Sequence, residues 1–212
     1  MKCVLGIILA MACLFFATSN GGSSKDELIP ISSAEQVVTV TTHDWGRASD
    51  GQPKLVVAVW SDGVIVWSKN RIAGGAPYLR GKIEPTSCST LLKRLDHDGY
   101  FANESLSQTH FGPDSQFTSI LIKNENKKIE MQSWHELFEL SGKIVCTSSG
   151  ATGLKGKRLE SLANATKEYV HYRLAWAELR LMINQLLPTT GQTTNGDIHM
   201  EHGIMSWKPN SK

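Results

Sequence analysis

The chain reads as an α+β protein: an antiparallel sheet of hairpins packed against a short helix and a long C-terminal helix. Three observations point there. Runs of alternating apolar residues fold back on themselves at turn signals, which is the pattern of hairpins. Leu91, Leu92 and Leu95 have helical spacing inside a short segment that Gly99 stops. A helical apolar period also runs uninterrupted from Leu159 to Leu187, where Pro188 ends it.

Taken in order, the chain begins Met1-Lys2-Cys3, continues through an apolar run of 14 residues from Val4 to Ala17, and turns polar at Thr18-Ser19-Asn20. A basic start, a short apolar stretch and small residues for a peptidase make a secretory signal peptide over residues 1–19. The run is short of the roughly 20 residues a membrane-crossing helix needs, so no integral span is expected after its removal. Lipidation at Cys13 is the alternative, although Leu14-Phe15-Phe16 behind it is apolar where a mature lipoprotein is polar. Secretion or a periplasmic location follows from the first reading, a lipid anchor from the second.

Loss of the signal takes only Lys2 from the 22 basic residues and leaves 20 acidic ones, so the mature chain is almost neutral. That balance implies no nucleic acid partner. About 190 mature residues hold one core of ordinary size. The expected division is a flexible linker over 20–33, a single domain over 34–188 and a polar tail over 189–212, with the tail either loose or adding a strand.

Gln36 to Thr42 is rich in β-branched residues and reads as the first strand. Next comes VWSDGVIVWS, from Val59 to Ser68. With Asp62-Gly63 as the two central residues of a tight turn, Asp62 is a bend and not chemistry. That turn sets Trp60 opposite Ile65 and Ala58 opposite Trp67, so both indoles share one face. The other face carries Val57, Val59, Val64 and Val66, so the hairpin is apolar on both sides. One side is expected to meet the helices; the other needs a cover or is a binding surface. Further on, Phe117 to Ile122 and Lys128 to Trp134 form a second hairpin, and Ser133 with Glu136 makes a capping box for a helix starting at Trp134.

The long C-terminal pattern carries Leu159, Leu162, Ala163, Thr166, Val170, Leu174, Ala177, Leu181 and Met182 on one stripe. From Ala175 to Leu187 it is apolar on most faces, which calls for burial all round. Its length, roughly 40 Å, exceeds what a domain this small surrounds. Its final turns are therefore expected to pack on the tail segment Ile198 to Trp207, or on a protein partner such as a second copy of the chain.

No motif names a reaction. His135-Glu136-Leu137-Phe138-Glu139 lacks the second histidine of a zinc-protease helix, and capping explains Glu136. His199 and His202 have a chelating spacing but sit in a tail without further ligands. Gly156-Lys157 does not complete a phosphate loop, since Arg158 stands where a Ser or Thr is needed. Neither a Gly-x-Ser-x-Gly elbow nor a Cys-x-x-Cys is present. No catalytic residue and no cofactor is implied. Cys88 and Cys146 stay with the mature chain. In an oxidising compartment they pair across a loop worth roughly 4 kcal/mol, or else stand as two buried thiols.

The segments DGVIVWS, GGAPYLRGKI, LLKRLDHDGYF and TSILIKNENKKIEM, spread over Leu55 to Trp134, resemble uncharacterised exported bacterial α+β proteins, planctomycete ones included. The resemblance implies a compact sheet-and-helix domain outside the cytoplasm and transfers no catalytic residue. The expectation is a non-catalytic binding or interaction module, with Trp60 and Trp67 as the ligand-binding face. The rival is an extracytoplasmic hydrolase or metal enzyme assembled from His43, Asp44, His135 or the His199/His202 pair.

Overall fold

The computed structural model describes residues 29–43, 52–103, 106, 109–110, 117–133, 144–147, 150–153, 166–194, 196–201 and 204–209. The signal segment with Cys13, the Trp134 capping-box helix, and Leu159 to Ala163 of the C-terminal pattern lie outside them, as do Asp44, His135 and His202.

The strands are β1 (Ile29–Pro30), β2 (Gln36–His43), β3 (Lys54–Trp60), β4 (Val64–Ser68), β5 (Tyr78–Lys82), β6 (Thr109–His110), β7 (Phe117–Asn124), β8 (Lys127–Ser133), β9 (Ile144–Thr147), β10 (Gly150–Gly153), β11 (Gln192–Thr193), β12 (Gly196–Glu201) and β13 (Ile204–Pro209). Among the described residues two α-helices accompany them, α1 (Pro85–His97) and α2 (Lys167–Leu186). The main sheet runs β11-β5-β4-β3-β2-β7-β8-β6 and is antiparallel but for the β6–β8 edge. A three-stranded sheet, β1-β13-β12, and a β9–β10 hairpin complete the fold. The expected α+β architecture of hairpins, a short helix and a long C-terminal helix is the observed one.

Asp62 is a bend, but the turn is one residue longer than expected. Gly63 donates its N–H to the Trp60 carbonyl at 3.0 Å and takes the left-handed conformation, φ 84°. Only one residue needs positive φ in this three-residue loop, whereas the tighter turn would ask it of Asp62 as well. Val57 therefore pairs with Trp67, Ala58 with Val66 and Val59 with Ile65. A shift of one residue sends side chains to the opposite face, and the two indoles part. Trp67 joins Val57, Val59 and Ile65 beneath the helices, while Trp60 joins Ala58, Val66, Leu55 and Tyr78 on the other side. Asp62 caps the turn, accepting the Val64 N–H at 3.1 Å on Oδ1 and the Ser32 hydroxyl at 2.8 Å on Oδ2.

Register shifts in the β2–β3 ladder, between Gln36 and Val38 and between Val40 and Thr41, put adjacent residues on the same side. Val37 with Val38, and Val56 with Val57, all enter the helix-side core. That core also holds Leu91 and Leu95 of α1, Ile120 and Ile122 of β7, and Tyr172, Trp176, Leu179 and Ile183 of α2. The opposite core takes Ile31 and Met205 as its cover.

Two boundaries change accordingly. Residues 29–33, expected as linker, are built in: Ile29 pairs with Trp207, Ile31 is buried, its carbonyl accepts Arg80 Nη2 at 2.8 Å, and Ser32 reaches Asp62. The segment after Pro188 supplies β11, β12 and β13. The apolar far side of the hairpin is what draws both chain ends onto the sheet, since leaving it in water forfeits about 25 cal/mol per Å² of apolar area.

Candidate functional site

Neither tryptophan offers a face to a ligand. Trp60 and Trp67 are 3 % and 2 % exposed. Trp67 is roofed so closely by the chain after α2 that a Cβ on Gly191 would stand 2.3 Å from its Cη2. The expected indole surface is thus corrected: both rings are core. The sequence admits a Cys88–Cys146 bridge or two buried thiols, and no bridge is found at Cys88. Cys88 is a free thiol on the buried side of α1, with Sγ 3.7 Å from the Trp60 carbonyl, while Cys146 lies on the separate β9–β10 hairpin. Burial first, and the charge of Asp62 second, push the Cys88 thiol pKa up.

Of the residues proposed for catalysis, His43 lies beside a hydroxyl and an aromatic ring. Its Nε2 lies 3.0 Å from Thr41 Oγ1, and its ring stacks on Phe117 with centroids 4.6 Å apart. Ser119 stands directly opposite Thr41 on β7. A hydroxyl beside an imidazole is the beginning of a nucleophile–base pair. Here, however, Thr41 is buried within the sheet, which closes its hydroxyl to a substrate. His199 is exposed on β12. Among the described residues no group of three or more His, Cys, Asp or Glu is placed to hold a metal ion.

With both sheet faces occupied, open concave surface is found on the helical layer. A groove of about 340 Å³ runs between α1 and α2. Pro85 starts α1 where a missing N–H costs nothing. The helix then presents Thr86, Ser87, Thr90 and Arg94 along one wall, while Met182, Gln185 and Leu186 of α2 form the other. Leu91, Met182 and Leu186 are buried and make an apolar floor. Arg94 is held in place, with Nη2 2.9 Å from Glu178 Oε1 and Nε 3.5 Å from Asp98. The Tyr100 hydroxyl donates to the other oxygen of Glu178. Burial and then that contact push the Tyr100 pKa up, while a hydrogen bond from His97 holds the Asp98 carboxyl below its usual range. The network spends the local charge internally, so the groove mouth carries little free charge.

Beside the groove α2 exposes a second apolar seam. Its buried side is Tyr172, Ala175, Trp176, Leu179, Met182, Ile183 and Leu186. Its outer side carries Val170, Leu174 and Leu181, which are 38 %, 66 % and 57 % exposed, with half-buried Ala177 between the two leucines. Of the stripe read from the sequence, Val170, Leu174 and Leu181 thus face outward, while Met182 is buried. From Val170 through Leu174 and Ala177 to Leu181, steps of four, three and four residues average about 3.7, close to the 3.6-residue turn of a straight helix, so the four side chains keep to one face. Among the described residues no helix is long and apolar enough to cross a membrane.

No family model, curated protein or solved structure matches the chain.

Proposed function

We propose that the protein is an exported, non-catalytic binding module that engages a protein partner through the outer face of its helical layer. The observation that carries this reading is the exposed seam Val170–Leu174–Ala177–Leu181, set beside an apolar-floored groove on a domain whose sheet is covered on both faces. Large exposed leucines in a row forfeit hydrophobic free energy unless something covers them. The signal-like segment supports export, and the engagement of Arg94 with Glu178 and Asp98 supports binding over catalysis.

A photo-crosslinking residue at position 181 tests the reading, with the same residue at exposed Ile72 as control. In the protein's native extracytoplasmic setting, position 181 should give a discrete adduct that position 72 does not. Equal labelling at the two positions, or none at either, would refute the helical-face reading.

A further inference from the structure

We infer that the small terminal sheet, β1-β13-β12, is a hinged cover that lifts from the main sheet as a unit while the core under the helices stays folded. The device is independent of the helical face.

The first support is that the two cores are separate. Leu55, Ala58, Trp60, Val66 and Tyr78 form a cluster of their own on the side of the sheet away from α1 and α2. Among the described residues no strand of the terminal sheet pairs with a strand of the main one. With the cover lifted, β3 keeps its ladders to β2 and β4, and β4 keeps its ladder to β5.

The second support is the amount of side chain that the cover commits. It sinks Ile31 and Met205 into the cluster, with Ala34 and Ile198 half-buried beside them. By contrast, α2 alone sinks Tyr172, Trp176, Leu179, Met182, Ile183 and Leu186 into the other core. A region with few buried apolar contacts opens at a lower free energy than the core of its domain. The polar contacts across the gap are the Ile31 carbonyl accepting Arg80 Nη2 at 2.8 Å and the Ser32 hydroxyl donating to Asp62 Oδ2 at 2.8 Å. Both are part-buried, so water replaces them on opening.

The third support is that both ends of the cover meet the main sheet at a fixed point. Gln192 and Thr193 pair with β5, and Thr194 donates its N–H to the Tyr78 carbonyl at 3.2 Å. β12 starts just beyond, at Gly196. On the other side the Glu35 carbonyl accepts the Ser61 N–H at 2.8 Å, and β2 starts at Gln36. The backbone change of opening thus falls on the residues between Thr194 and Gly196 and on Ser33-Ala34, short element-terminal segments of the kind that serve as hinges. Gly191, fastened outside the hinge, keeps its place over Trp67.

Val66→Cys puts a thiol under the cover, where the side chain is 0 % exposed, and Cys88 beneath α1 is the control in the same chain. Folded protein is treated with iodoacetamide without denaturant, peptide masses give the labelling rate at each position, and each rate is divided by its value in urea. Position 66 should label at least about tenfold faster than Cys88, since one reports the cover and the other the helix-side core. Adding Met205→Ala should speed labelling at position 66 at least about tenfold further and move Cys88 less. Hydrogen exchange of the unaltered chain reads the same device without a substitution. Amides of β13, the middle strand of the terminal sheet, should exchange at least about tenfold faster than those of β2 and depend less on added urea. A smaller ratio at positions 66 and 88, a Met205→Ala effect equal at both, or β13 exchange that matches β2 overturns the inference, because the cover would then leave only when the whole domain unfolds.

Discussion

Gly63→Ala tests the turn on which the division of the two tryptophans rests. The residue has φ 84°, and an added Cβ would lie 2.1 Å from the Ile83 carbonyl oxygen. Left-handed backbone costs an L-residue roughly 1–2 kcal/mol. The contact cannot be relieved by a side chain, since it is backbone, pinned by the Ile83 N–H donating to the Gly63 carbonyl at 2.8 Å. Opening it costs that hydrogen bond, about 0.5–1.5 kcal/mol, and an overpacking penalty of about 1–3 kcal/mol. The total is about 2.5–6.5 kcal/mol, a large part of the 5–15 kcal/mol typical of a domain. Gly99→Ala is the control, because Gly99 has φ 77° with nothing within 4 Å of the added Cβ. It should lose only the conformational share, about 1–2 kcal/mol. Urea titration of both variants against wild type gives the difference from the midpoints, provided the slope is unchanged. Losses that agree to within about 0.5 kcal/mol, the usual scatter of surface changes, would refute the close approach at Gly63.

Other expectations follow from single contacts. Cys88 should resist a thiol reagent in native protein and react fully in denaturant without reductant; a thiol protected in denaturant would mean that it is bonded after all. Its raised pKa makes stability level below the unfolded-state value near 9 and falling as pH rises towards the folded-state value. Cys88→Ala should flatten that fall above about pH 9, and a decline of the same steepness in the variant would reject the assignment. Removal of residues 192–212 strips Met205 and the β12–β13 hairpin from the Trp60 core, so the shortened chain should aggregate and expose Trp60 to acrylamide quenching; a stable chain with unchanged quenching would show that this cover is dispensable. Tyr172→Phe leaves the Gln132 N–H, 3.1 Å from the tyrosine hydroxyl, without that acceptor, and should cost about 1–3 kcal/mol in a denaturation experiment. Intact mass of exported protein should begin at Asn20; a diacylated Cys13 would select the lipid anchor instead.

The sheet was legible because its signals are local. β-branched runs, Asp62-Gly63 and the alternation around Asn124 to Lys127 mark strands and turns without reference to the rest of the molecule. What sequence leaves open at Asp62-Gly63 is the length of the loop, since two-residue and three-residue turns both accept Asp followed by Gly. That single residue decides whether Trp60 and Trp67 share a face. Reading them together produced a binding surface; the observed register produces two cores. The far side of the hairpin reads as needing a cover or being a binding surface, and it is covered. The cover is non-local, coming from Ile31 and Met205 at opposite ends of the chain, in segments whose Ser, Gly and Thr content disguises them as linker and tail.

The helical face shows the opposite difficulty. Between Tyr172 and Leu187 the C-terminal helix carries enough apolar residues for two seams, and periodicity alone cannot rank them. Val170, Leu174, Ala177 and Leu181 lie on the stripe read from the sequence, while Tyr172, Trp176, Leu179, Ile183 and Leu186 repeat just as regularly. The aromatic pair Tyr172 and Trp176 decides the matter, since side chains of that size bring the most area to a core, and they lie on the other side, with Leu179 and Ile183. The groove walls Thr86, Ser87, Thr90 and Arg94 left no comparable trace, because hydroxyls and a guanidinium on one helix face look like ordinary solvated surface until a second helix is laid beside them. A helix with two apolar seams in a domain that can bury only one is, in itself, a sequence-level sign of an interaction surface, and the inward seam can be identified by its aromatics before any coordinates exist.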